Sequence, residues 1–96
     1  MNRAQVLDLL ARNKPTLVAR FGVDRLALFG STVRDAARAD SDIDILVSFN
    51  GPATSERYFG VQFFLEDLLG RPVDLVTDKA LRPELRAFIE REAVHA

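Results

Sequence analysis

The sequence predicts a small α/β domain in which a mixed sheet of three to four strands is covered by helices. Three short apolar segments, residues 26–29, 43–47 and 73–76, have the length and the branched side chains of buried strands. Longer segments with apolar residues at helical spacing lie around and between them. Because 96 residues are sufficient for one core, we expect a single domain over residues 1–96.

The first predicted element is a long helix that ends near Gly22. Pro15 interrupts its pattern and leaves two alternatives, a kinked helix or two consecutive helices with Pro15 in the first turn of the second. Gly22 is typical of the residue that ends a helix in a left-handed conformation. A first strand over residues 25–29 follows. The apolar face of the helix consists of Val6, Leu9, Leu10, Leu17, Val18 and Phe21.

Between the first and second strands the sequence predicts a short helix or turn and then a loop. The helix or turn covers residues 32–38, and Ser31 is available as its N-cap. The polar residues 38–41 form the loop. The second strand covers residues 42–49, and the Asn-Gly-Pro sequence at 50–52 predicts the turn that closes it.

The second half of the chain is predicted to alternate helix, strand and helix. A helix over residues 54–69 ends at Gly70, and the third strand covers residues 73–77. We expect a last helix over residues 83–94, followed by a solvated tail that includes His95. All helices are expected on one side of the sheet. The buried side of the last helix is predicted to consist of Leu85, Phe88, Ile89 and Ala93.

Composition excludes several classes of protein. The chain has no cysteine, which rules out disulfides and thiolate zinc sites. Its 13 basic and 14 acidic residues are interleaved and give a net charge of −1, so we expect no direct binding to nucleic acid. No apolar run approaches the roughly 20 residues of a membrane span, and the N-terminus lacks the apolar stretch of a signal peptide. These features fit a cytoplasmic protein.

Three aspartates on or beside predicted strands form the candidate active site. Gly30 and Ser31 are followed, after ten residues, by Asp42 and Asp44. Because side chains at i and i+2 of a strand project from one face, the two carboxylates lie together, and a cation relieves their repulsion. Mg²⁺ suits such oxygen ligands. Asp74 completes a site for two ions, so we predict all three aspartates as catalytic metal ligands, with Asp74 nearest the nucleophile.

The segment that begins at Gly30 is the candidate nucleotide-binding site. Gly30 lets the backbone approach a phosphate, Ser31 offers a hydroxyl at a helix start, and Arg34 can donate two hydrogen bonds to a phosphate. More ordinary interpretations stay open: a strand-end glycine, a surface arginine, and aspartates at the solvated start of a strand. In combination, these residues indicate phosphoryl or nucleotidyl transfer.

These motifs resemble the signature of the DNA-polymerase-β-like nucleotidyltransferases, and above all that of the minimal nucleotidyltransferases, called MNT proteins. The resemblance covers nearly the whole chain. It rests on Leu-Phe-Gly-Ser at 28–31, Ser-Asp-Ile-Asp-Ile-Leu-Val at 41–47 and Gly-Arg-Pro-Val-Asp-Leu-Val at 70–76. One departure is Asp35, since many members have glycine after the arginine of the Gly-Ser-x-x-Arg segment, here Arg34.

The resemblance implies a fold, a reaction and a partner. The fold is the small nucleotidyltransferase fold, in which Gly30 and Ser31 would bind the triphosphate of ATP and Asp42, Asp44 and Asp74 would hold Mg²⁺. The implied partner is a HEPN-domain ribonuclease toxin. MNT antitoxins of this kind inactivate the toxin by transferring AMP from ATP to one of its tyrosines.

The predicted helix over residues 54–69 is apolar around more of its circumference than one buried face requires. We expect some of Phe59, Phe63 and Phe64 to contact a partner protein or a second copy; the alternative is a deeply buried helix. The sequence offers no further domain to hold an acceptor, so a partner is expected to supply that surface. Three functions stay open: an adenylyltransferase that modifies its toxin, an antitoxin that acts by binding, and a subunit of a small-molecule nucleotidyltransferase.

Overall fold

The structure, a computed structural model of the chain, describes residues 1–34 and 41–96. In this part of the chain a four-stranded sheet is packed against three α-helices, which confirms the predicted fold class. Two short 3₁₀ helices follow β1 and β3, over Gly30–Thr32 and Asp78–Ala80. The helices and strands are α1 (Arg3–Phe21), β1 (Val23–Phe29), β2 (Ile43–Phe49), α2 (Ser55–Leu69), β3 (Val73–Thr77), α3 (Pro83–Glu92) and β4 (Val94–His95).

The strand order is β3-β2-β1-β4, with β2 parallel to β3 and β1 antiparallel to both of its neighbours. The three predicted strands are found, but the two-residue β4 was not predicted. The expectation of a helix to residue 94 is wrong, because α3 ends at Glu92 and the backbone then pairs with β1. The His95 side chain is exposed, as predicted, although its backbone belongs to β4. In that pairing Val94 lies opposite Leu28 and His95 lies opposite Ala27.

Local signals place the ends of the long helices where the sequence predicts them. At the start of α1, Asn2 accepts a hydrogen bond from the Gln5 backbone, and the Gln5 side chain accepts one from the Asn2 backbone. Gly22 ends α1 and Gly70 ends α2, both in the left-handed conformation. A single helix runs through Pro15, so the alternative of two consecutive helices is wrong.

The main core lies between one face of the sheet and the helices α1 and α2. Alternate residues of β2 point into it, and the opposite face of the sheet carries a smaller apolar cluster under α3. Helices therefore cover both faces, and the expectation of helices on one side is wrong. The main core includes Val6, Leu10 and Leu17 of α1, Ile43, Ile45 and Val47 of β2, and Val61, Leu65 and Leu69 of α2.

Helix α3 covers its sheet face through few side chains. Ile89 is buried with Ala27 and Leu46, as predicted for Ile89. Leu85 and Phe88 are about half exposed, at 49% and 54%, so their predicted burial is wrong. An amphipathic pattern identifies the apolar side of a helix, but a short helix on a sheet buries only the part of that side that faces the strands. None of the helices in residues 1–34 and 41–96 is long and apolar enough to cross a membrane.

Candidate functional site

The end of β1 and the starts of β2 and β3 meet at one edge of the sheet. In the strand register Asp44 lies between Asp74 of β3 and Phe29, the last residue of β1. Asp42 comes two residues before Asp44, and Gly30 directly follows Phe29. The structure therefore brings Gly30 and the three predicted aspartates together. Asp42 and Asp74 are exposed, whereas Asp44 is partly buried between the neighbouring strands.

The carboxylates act on one another electrostatically. Burial is the main cause that raises the pKa of Asp44 to about 6, and the negative charge of Asp74, a hydrogen bond with Asp74 and the charge of Asp42 add to it. The positive charge of Arg34 opposes this shift in the pKa of Asp44. The strands thus hold negative charges close together at a cost in free energy, which is typical of a site built to receive a cation.

The close approach of the Asp44 carboxylate requires a glycine at position 30. Its backbone has a φ of 77°, in the left-handed region that favours glycine. A Cβ atom at this position would lie 2.1 Å from the Asp44 Oδ2 atom and 2.9 Å from its Cγ atom. The space that a side chain would need is therefore filled by the Asp44 carboxylate. This explains the glycine independently of any bound phosphate.

Ser31 lies inside the short 3₁₀ helix that follows β1. That helix begins at Gly30, and its N-cap residue Phe29 makes no side-chain hydrogen bond, so Ser31 is not the N-cap of this helix. The predicted helix over 32–38 and the loop over 38–41 lie largely outside the described residues. Thr32 and Val33 are buried and anchor this segment, and Ser31 itself is half-buried.

Arg34 is exposed at the end of the same segment and forms an ion pair with Glu92, the last residue of α3. No sequence pattern indicates this partner, because the two residues are 58 positions apart. The predicted contact of Arg34 with a phosphate stays a prediction. The ion pair connects the candidate nucleotide-binding segment to the C-terminal helix.

Several contacts fix the start of β3 beside the start of β2. Arg71 donates a hydrogen bond to the Ser41 carbonyl, and the Ile43 N–H donates to the Pro72 carbonyl at 3.0 Å. From α2, the Glu66 carboxylate accepts a hydrogen bond from the Val73 N–H at 3.0 Å. These contacts hold the residues next to Asp42 and Asp74. Sequence reasoning missed them, and only the position of Arg71 two residues before β3 could have indicated its role.

The fit to a metal ion follows from the chemistry of the donors. In the part of the chain that the structure describes, no group of three or more His, Cys, Asp or Glu side chains could hold a metal ion as it stands. The carboxylate oxygens of Asp42, Asp44 and Asp74 nevertheless suit Mg²⁺, because Mg²⁺ prefers oxygen and is usually held by one or two carboxylates together with substrate phosphates.

Comparison with known proteins identifies relatives over nearly the full chain. The family model described as Nucleotidyltransferase domain matches residues 10–95. The protein adenylyltransferase MntA of Thermococcus cleftensis is 37% identical over 91 residues, which are 95% of this chain and 92% of the relative. A solved structure described as a minimal nucleotidyltransferase is 40% identical and superimposes with a TM-score of 0.79, over 98% of this chain and 95% of the other.

More distant solved structures share the fold. A toxin–antitoxin structure with AMP-PNP is 23% identical, with a TM-score of 0.70 over 99% of this chain and 72% of the other. A complex of a tri-AMPylated Shewanella oneidensis HEPN toxin with an MNT antitoxin is 22% identical, with a TM-score of 0.60 over 98% of this chain and 67% of the other. At these identities the likeness extends to the fold alone.

Proposed function

Because this chain belongs to the nucleotidyltransferase domain family, as a minimal nucleotidyltransferase, we propose that it transfers AMP from ATP to a tyrosine of a HEPN ribonuclease toxin and thereby neutralises the toxin. The observation that carries the proposal is the junction of Asp44 with Asp74 and Gly30 at one sheet edge. A further support is the similarity to a relative named a protein adenylyltransferase. A solved complex that shares the fold contains a tri-AMPylated HEPN toxin, which is consistent with the acceptor that we propose.

In the proposed reaction the tyrosine hydroxyl oxygen attacks the α-phosphorus of ATP. A bond forms between this oxygen and the α-phosphorus, the bond from the α-phosphorus to the bridging oxygen breaks, and pyrophosphate leaves. Asp74 accepts the hydroxyl proton. Asp42, Asp44 and Asp74 would hold two Mg²⁺ ions, which when bound lower the pKa of the hydroxyl and neutralise charge on the pyrophosphate.

The segment after β1 is proposed to bind the triphosphate. The Gly30 and Ser31 backbone and the Ser31 hydroxyl would donate hydrogen bonds to phosphate oxygens. Arg34, which is 56% exposed on its side chain, would add a charged donor. These groups place the α-phosphorus next to the three carboxylates, because the segment directly continues the strand that pairs with Asp44.

A second candidate function is neutralisation of the toxin by binding alone. It is favoured by two aromatic rings on the outer surface of α2, since Phe59 is 49% exposed and Phe63 is 62% exposed. Their rings stack with centroids 6.3 Å apart. Phe64, the third ring of the predicted contact, is instead packed against the core and Phe21. An exposed apolar pair of this kind is typical of a protein contact.

The decisive experiment measures the intact mass of a HEPN toxin partner after incubation with this protein, ATP and Mg²⁺. We expect an increase by whole AMP units. The control with Asp42→Ala and Asp44→Ala should give no increase. Asp24→Ala, an exposed acid at the end of β1 away from the site, serves as a matched acidic control and should retain full transfer. If neither the unaltered nor the doubly substituted protein increases the mass of the toxin, and both protect equally from toxicity, the result would support binding alone.

A further inference from the structure

Two ion-pair systems attach α3 to the rest of the protein. On one side, Arg25 of β1 contacts Glu90 at 2.9 Å and Asp78 at 3.5 Å. On the other side, Arg34 contacts Glu92. The two systems differ in what they reach: Arg25 lies in the middle of β1, whereas Arg34 belongs to the segment proposed to bind the triphosphate.

The Glu92 carboxylate is the more fixed member of its pair. Its side chain is 17% exposed, whereas that of Arg34 is 56% exposed. The contact involves one terminal nitrogen of Arg34, and a guanidinium has five N–H donors in a planar fork, so donors remain for a second oxygen ligand. Arg34 lies four residues after Gly30, and its positive charge opposes the upward shift in the pKa of Asp44, so the guanidinium held by Glu92 lies within electrostatic reach of the site.

The backbone after Glu92 anchors that carboxylate to β1. Val94 pairs with Leu28 in the sheet, and the Ala96 N–H donates a hydrogen bond to the Leu26 carbonyl at 2.9 Å. The same strand leads directly into Gly30. Both members of the ion pair are therefore tied to one strand, which fixes the distance between α3 and the site.

We propose that Glu92 is a positioning residue for the nucleotide, and that its carboxylate holds the Arg34 guanidinium where it pairs with triphosphate oxygens. This role rests on the proposed function. A free arginine side chain would lose its rotamer freedom on binding, and the ion pair with Glu92 removes that freedom beforehand. Loss of the ion pair with Glu92 should therefore weaken nucleotide affinity more than it lowers the transfer rate at saturating ATP.

The test uses the full chain with AMP-PNP and Mg²⁺, and Kd is measured by calorimetry. Glu92→Ala should raise Kd about tenfold, the range for a hydrogen bond to a charged group. Glu92→Gln should raise Kd less, because its amide oxygen still accepts a hydrogen bond from Arg34. Glu90→Ala is the matched control, since it removes the other ion pair of α3 and should leave Kd unchanged. In steady-state AMP transfer, KM for ATP should change more than kcat.

A double-variant cycle distinguishes positioning from a general effect on the fold. In a protein that carries Arg34→Ala, the additional Glu92→Ala should have no further effect on Kd. Tighter AMP-PNP binding by Glu92→Ala would overturn the proposal, because it would make Glu92 a competitor of the phosphates. An equal loss in Glu90→Ala would also overturn it. If the unaltered protein binds no AMP-PNP, that result contradicts the proposed function, and with it the proposed role of Glu92.

Discussion

The two faces of the sheet differ in what covers them. On the face under α1 and α2, Ile43, Ile45 and Val47 are almost completely buried in the main core. On the other face, β2 begins with Asp44 and continues with Leu46, and α3 covers only the apolar part. Side chains alternate between the two faces of a strand. The residues of β2 on one face therefore stabilise the fold, whereas the residues on the other face include Asp44 of the candidate site.

Substitutions on one face of the sheet should therefore change the activity, and substitutions on the other face should change the stability. The uncovered end of the second face holds repelling carboxylates, so changing them should not destabilise the protein. The covered face holds no group of the site, so changing it should reduce stability and leave the chemistry of the folded molecules intact.

The largest expected effect is on the carboxylates themselves. Asp44→Asn and Asp74→Asn should each lower the rate of AMP transfer about 1000-fold, since metal and charge contributions of several kcal/mol are lost. Thermal melting of the metal-free protein should show that neither variant is less stable than the original. Asp24→Asn, an exposed acid at the end of β1 away from the site, is the control and should change neither quantity. Transfer at the original rate by either site variant would contradict the assignment.

A core substitution should have the opposite signature. Leu65→Ala removes a side chain that is completely buried under the sheet, and should lower the free energy of unfolding by about 2–5 kcal/mol. Urea unfolding measures this loss. At a temperature where the variant is still folded, its transfer rate should equal that of the original protein. Phe63→Ala, on the same helix but 62% exposed, should cost far less stability.

The pH dependence of stability should identify Asp44 as a group that opposes folding when it is ionised. The folded-state pKa of Asp44 is raised from 3.8 to about 6, so the folded protein binds this proton more tightly than the unfolded chain. The resulting stabilisation is fully present below about pH 4 and is lost as the pH rises through 6. With metal removed by EDTA, we expect a loss of about 1–2 kcal/mol, because partial exposure to solvent reduces the effect.

Asp44→Asn provides the comparison for that measurement. The variant should lack this component, and its stability relative to the original protein should increase between pH 4 and pH 7. Denaturant unfolding at both pH values gives the difference and cancels the contributions of the other carboxylates. A constant difference between the two proteins over this range would show that Asp44 titrates normally.

The smallest expected effect on the isolated chain comes from the outer surface of α2. Phe59→Asp and Phe63→Asp together should leave AMP-PNP binding unchanged, because α2 packs on the face opposite the carboxylates. The double variant should nevertheless lose its complex with a HEPN toxin in size-exclusion chromatography. Leu85→Asp with Phe88→Asp, the exposed apolar pair of α3, is the matched comparison and should retain the complex. Loss of folding in the α2 variant would contradict the assignment of Phe59 and Phe63 to a contact with the toxin.

Features that depend on neighbouring residues can be predicted from the sequence. Gly22 and Gly70 end their helices because glycine tolerates the left-handed conformation, and the third strand has its predicted limits, Val73–Thr77. The alternation of Asp44 with apolar neighbours indicated which side chains share a face. Their spacing and the predicted strands that carry them indicate Gly30 and the three aspartates as one site, and the strand register brings these residues together.

Features that depend on residues far apart in the chain are visible only in the folded structure. Strand β4 has two residues and no periodicity, so its pairing with β1 could not be read from the chain. Leu85 and Phe88 are apolar, but their exposure depends on how much of α3 the sheet covers. The pairing of Arg34 with Glu92 joins residues 58 positions apart. Local preferences are encoded by a few neighbouring residues, whereas these contacts form only when the whole chain has packed.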